Sequence, residues 1–96
     1  MSTKAQHNPS YERLRGLLRA LREGAGLTQR GLGQALGKPQ SWVFNCETGN
    51  RRLDVSEFAA WAVACGCDPL DAFGRYLALE RQAAGADSQE QPTEPQ

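Results

Sequence analysis

Cys65 and Cys67 stand two apart, and with Cys46 and the single His7 they are the only thiol and imidazole side chains in the chain. A structural zinc site needs four such ligands at ordered spacing. His7 lies in a polar N-terminal run far from the cysteines, so no metal is expected. An odd cysteine count in a reducing compartment argues against a disulfide framework. The three cysteines are read as small buried hydrophobes. Asp54 and Glu57 are three apart at the head of an apolar run, and a reciprocal helix cap accounts for both without acid–base chemistry. No Ser-His-Asp set, phosphate-cradling loop or paired-carboxylate cleft is visible. The residues therefore point to no enzyme, no cofactor and no small-molecule effector.

The charge distribution offers a different chemistry. The formal net charge is zero. Residues 1–52 nevertheless hold nine basic side chains against three acidic ones, a balance of +6, while residues 53–96 hold two against eight, a balance of −6. A basic first half is suited to a polyanion, and the acidic second half is not. Within the basic half, Gln29, Gln40, Ser41 and Asn45 add neutral hydrogen-bonding groups.

Something must position those groups, and the periodicity predicts five helices and no strands, an all-α fold in one domain. Asn8 as cap and Pro9 in the first turn open a helix whose Tyr11, Leu14, Leu17, Leu18 and Leu21 form an apolar stripe, stopped by Gly24-Ala25-Gly26. Thr28 caps a short second helix carrying Leu32 and Leu36, ended by Gly37, and Pro39 starts a third from Gln40 to Thr48 with Val43 and Cys46 inward. Ser41, Phe44, Asn45 and Thr48 share the opposite face. Asp54 and Glu57 form a capping box for the fourth helix, with Leu53 and Phe58 as a hydrophobic staple. Asp68-Pro69 opens a fifth, expected to bury Leu70, Phe73 and Leu77 and to fray near Gly85. The expected core joins Leu14, Leu18, Leu21, Leu32, Leu36, Val43, Phe58, Ala62 and Phe73. Residues 1–8 and 85–96 are expected to be a flexible and a disordered tail around a domain of 9–84. No apolar run reaches the roughly 20 residues of a membrane span, and MSTKAQHNPS lacks a secretory signal, so the expected location is the cytoplasm, associated with the nucleoid.

Two short helices joined by a tight glycine turn make a helix-turn-helix unit. The stretches LRALREGAGLTQ, LGQALGKPQSWV, ETGNRRLDVSEF and ACGCDPLDAF, together covering most of Leu14 to Phe73, resemble the lambda-repressor-like family, the phage repressor and Cro group also called xenobiotic-response-element-type regulators. The resemblance implies a compact five-helix domain that binds double-stranded DNA as a bacterial or phage transcriptional regulator, with residues 40–48 in the major groove; because one short recognition helix reads too few bases for useful specificity, a homodimer on DNA is expected. It implies base contacts by Gln40, Ser41, Phe44 and Asn45, and phosphate contacts by Thr28, Gln29, Lys38, Arg51 and Arg52. It further implies an ion pair between Arg22 and Glu47, and at Gly33 a small residue that lets the second and third helices approach. Phe44 and Asn45 depart from the family pattern, which favours a polar and a basic residue there. An alternative reading follows from that departure: Trp42 and Phe44 as a contact surface for a protein partner, as in an adaptor or antitoxin. Trp61 and Tyr76 are read as core-edge or dimer-contact residues.

Overall fold

The computed structural model describes residues 8–90, with side chains described through 85. The expected tail residues 1–7 and 91–96 lie outside it. Five helices follow in order: α1 Pro9–Gly24, α2 Gln29–Leu36, α3 Gln40–Thr48, α4 Val55–Ala64 and α5 Pro69–Glu90. Among the described residues there is no strand, and no helix is long and apolar enough to cross a membrane.

The helix starts follow their capping chemistry. Tyr11 N–H donates to the Asn8 side chain at 3.1 Å, and Gly31 N–H to Thr28 Oγ1 at 2.9 Å. At α4 both halves of the capping box form, with Glu57 N–H on Asp54 Oδ1 and Asp54 N–H on Glu57 Oε1. Each bond satisfies a helix-end donor that has no partner within the helix. Between α2 and α3, Gly37 takes a left-handed conformation at φ 70°, which glycine adopts without a Cβ clash. Lys38 N–H then returns to Gly33 O at 2.8 Å.

The helices close on Trp61, which is fully buried and donates its indole N–H to Leu18 O at 3.0 Å. That bond gives the ring's one polar atom a partner inside the core. Trp61 is thus the centre of the core, not its edge or a dimer contact. Leu17, Leu18, Leu21, Leu32, Val43, Cys46, Phe58 and Ala62 surround it, with Leu14 and Leu36 half-buried at the margin.

Two expectations about α5 are corrected. Its buried side is Ala72 with Tyr76 and Leu79, while Leu70, Phe73 and Leu77 are exposed. The α5 backbone lies close against α1 and α4, where the small Ala72 fits. The larger stripe therefore turns outward, though the Phe73 ring still meets Phe58 edge-on at 6.4 Å. The helix also continues past Gly85 to Glu90. One glycine costs a helix only about 1 kcal/mol, and here it follows the good helix formers Ala83 and Ala84.

Candidate nucleic-acid interface

The second and third helices present one surface, and a chain of hydrogen bonds runs beneath it. Arg22, near the end of α1, grips Glu47 of α3 through two bonds, Nε to Oε2 at 2.6 Å and Nη2 to Oε1 at 3.0 Å. Its Nη1 caps the Leu27 carbonyl at 2.9 Å. The Glu47 and Arg22 side chains are only 4% and 10% exposed, and the carboxylate raises the arginine's pKa further. From the same carboxylate the chain continues outward. Gln29 Nε2 donates to Glu47 Oε1 at 3.1 Å, and Gln40 Nε2 donates to Gln29 Oε1 at 2.7 Å. The buried ion pair thus anchors two amides from different helices, Gln29 half-buried and Gln40 exposed, in one linked arrangement.

The free valences of those amides define what they can do. A primary amide has two N–H donors and one carbonyl acceptor. One Gln40 N–H is held by Gln29, leaving the other N–H and Oε1 of this exposed residue as a donor–acceptor pair. One Gln29 N–H is held by Glu47, leaving the second for an external acceptor beside the α2 N-terminus, where unpaired backbone donors favour anions. Ser41, Phe44 and Thr48 continue the exposed α3 surface, Phe44 being 45% exposed. Asn45 lies at its half-buried edge, near Asn50.

The basic side chains around this face are held in place rather than loose. Trp42, half-buried beside Trp61, has Lys38 Nζ 5.2 Å and the Arg51 guanidinium 5.0 Å from its ring centroid. Arg51 also makes a paired contact with Glu57 at 3.1 and 3.3 Å, so its charge is shared with a carboxylate, and that carboxylate's pKa is lowered in turn. Arg52 lies 4.4 Å from the Tyr11 ring, and the Tyr11 hydroxyl fixes the same loop, donating to Arg51 O and accepting from Leu53 N–H. Trp42 as a platform for two cations was missed in the sequence; Lys38 four residues before it was the only signal. Gly33 is required for a reason close to the one the resemblance implied, because an added Cβ would meet the backbone oxygen of Lys38 at 2.6 Å. The steric limit is the turn itself.

Among the described residues no group of His, Cys, Asp and Glu could hold a metal. Cys65 is buried and its thiol pushed up to about 11, chiefly by loss of water, which keeps it protonated and unreactive near neutrality.

A sequence profile of the helix-turn-helix domain family matches residues 13–71. No curated protein sequence matches the chain. Among solved structures, the chain is similar to an XRE-family like protein from Pseudomonas syringae pv. tomato, with 42% identity, a TM-score of 0.71, and coverage of 80% of this chain and 94% of that one. It is also similar to the clp gene regulator ClgR from Corynebacterium glutamicum, with 25% identity, a TM-score of 0.67, and coverage of 83% and 86%.

Proposed function

The chain belongs to the lambda-repressor-like, XRE-type helix-turn-helix family of DNA-binding transcriptional regulators, a non-enzymatic class, and we propose that it reads specific duplex sites by laying α3 in the major groove. The observation that carries this reading is the buttressed Gln40. Its outward N–H and carbonyl match the N7 and N6 positions of adenine, a bidentate pairing worth about 1–3 kcal/mol of discrimination. Ser41 and Asn45 extend the polar readout, and the exposed Phe44 ring suits a thymine methyl group. Thr28, Gln29, Lys38, Arg51 and Arg52 take the flanking phosphates, which fix register without reading sequence. Because Glu57 shares the Arg51 charge, Arg52 and Lys38 carry more of the electrostatic work. One short helix covers few base pairs, so the working unit is a homodimer on a two-fold site, on chromosomal DNA in the cytoplasm.

The alternative, a protein partner docking on Trp42 and Phe44, loses one of its two aromatics, since the Trp42 ring is occupied by Lys38, Arg51 and Trp61.

Selection of bound sites from random duplexes, followed by two variants, tests the reading. Arg52→Ala should weaken binding to selected and scrambled duplexes alike and lower the salt slope by about one unit. Gln40→Ala should cost about 1–3 kcal/mol on the selected site only. Equal weakening of both duplexes by Gln40→Ala would remove α3 from the role of reading helix.

A further inference from the structure

Lys38 and Arg51 enter from opposite ends of α3 and meet on one ring. The Lys38 backbone is pinned in the turn before α3 by its N–H bond to Gly33 O at 2.8 Å, and the loop after α3 doubles back until Arg51 N–H reaches Asn45 O at 3.2 Å. Both cationic groups then lie over the Trp42 indole, 5.2 and 5.0 Å from its centroid. They are therefore no more than about 10 Å apart, within one Debye length at about 0.1 M salt, where like charges still repel. The ring offsets part of that cost, and an anion between them would return the rest. A further feature of the same place also favours an anion. Pro39 caps α3 without a side-chain bond, so the first backbone donors of α3, which have no partner within the helix, are left open beside Lys38.

The two cations differ in what else holds them. Arg51 also bonds both carboxylate oxygens of Glu57 and the Arg52 carbonyl, so part of its charge is already matched. Among the described residues Lys38 has no carboxylate in ion-pair range, and the Trp42 ring is the partner the fold gives it. A carboxylate fixes a cation by neutralising it. An aromatic face attracts it through the ring quadrupole and leaves the full charge available. Trp42 is suited to that task because it is itself anchored. It is half-buried, with its ring 6.2 Å from that of the fully buried Trp61, whose indole N–H is bonded to Leu18 O.

We infer that Trp42 is a positioning residue for DNA binding: fixed on the core, it holds the Lys38 ammonium beside Arg51, charge intact, where a backbone phosphate flanking α3 would sit. Trp42 acts through Lys38. The inference deepens the DNA reading above and rests on it.

Anisotropy titrations of a random duplex at several salt concentrations, run as a double-variant cycle, test this. Lys38→Ala should weaken wild-type binding and lower the salt slope by about 0.9. Trp42→Leu should weaken binding about two- to fivefold, the equivalent of an exposed cation–π contact. Adding Lys38→Ala to Trp42→Leu should then cost much less than it costs wild type. Trp42→Phe, which keeps an aromatic face, should recover most of the Trp42→Leu loss. Because Trp42 also packs on Trp61, circular dichroism and urea unfolding accompany each variant. A purely structural role would leave the cost of Lys38→Ala the same in both backgrounds. NMR of the DNA-free proteins supplies a second readout. The Lys38 ε-methylene protons should be shifted upfield by the ring in wild type and in Trp42→Phe, and should return to ordinary lysine positions in Trp42→Leu. An equal cost for Lys38→Ala with and without Trp42, or unshifted Lys38 protons in wild type, overturns the inference and leaves the DNA reading standing. A wild type that binds no duplex overturns both.

Discussion

Polar groups are buried where α2 and α3 meet α1, and apolar groups are exposed along α5, so two regions of one small domain reverse the usual arrangement in opposite directions. At the first, the Arg22–Glu47 pair is withdrawn from water, and hydrogen bonds of 3.1 and 2.7 Å lead out from it to Gln29 and Gln40. The desolvation cost is offset by geometry, and the result is orientation of the half-buried Gln29 and exposed Gln40 amides. At the second, Leu70, Phe73 and Leu77 face outward because Ala72 is what fits between α5 and its neighbours. The buried polar network orients groups on a polar surface, and the exposed apolar stripe follows from the space that the neighbours of α5 leave.

Breaking the polar region should have the largest effect. Glu47→Gln or Arg22→Met strands a buried charge and should cost about 3–5 kcal/mol each, with the double variant costing less than the sum. Urea unfolding of the four proteins measures this. Strictly additive losses would mean that the two side chains do not support each other.

Glycine substitutions sharpen the contrast at intermediate size. Gly33→Ala forces a Cβ against Lys38 O and should destabilise by about 1–3 kcal/mol, despite alanine's better helix propensity. Gly74→Ala meets open space and should stabilise the protomer by about 0.5–1 kcal/mol. Thermal melts under dilute, monomeric conditions read both signs, and the same sign for both would erase the difference between the two regions.

The smallest effect concerns the link from α1 to α5. Arg13 donates to Glu80 at 2.9 Å, Ser10 also donates to it, and the Arg13 guanidinium holds its carboxyl down to about 2 from an ordinary 4.5. A depressed acid contributes stability that is complete above the unfolded value and lost as pH falls toward the folded one. Wild type should therefore exceed Glu80→Gln in stability at pH 6, and the two should converge between about pH 4.5 and 2. A constant gap across that window would show that the ion pair contributes nothing.

Asn8, Thr28 and the Asp54–Glu57 box were legible from the sequence because a cap is a bond between residues three apart, settled within one turn of chain. Gly37 was legible for the same reason, and so was the charge division, which needs only counting. Gln40 and Gln29 were singled out by family likeness. That they touch, and that Glu47 and Arg22 hold them from below, depends on residues up to 25 positions apart meeting.

What tertiary structure alone decided is which way each apolar stripe faces. Trp61 took the centre of the core because its indole reaches Leu18 O, 43 residues away, and no local pattern encodes that distance. Along α5 the sequence offers two stripes, Ala72-Tyr76-Leu79 and Leu70-Phe73-Leu77, and by hydrophobicity the second is the stronger. Close approach of the helix backbones selected the first, because burial inside one protomer is limited by the space its neighbours leave. Local hydrogen bonding thus set where the helices begin and turn, and packing between distant segments set which side of each helix faced the core and which stayed exposed.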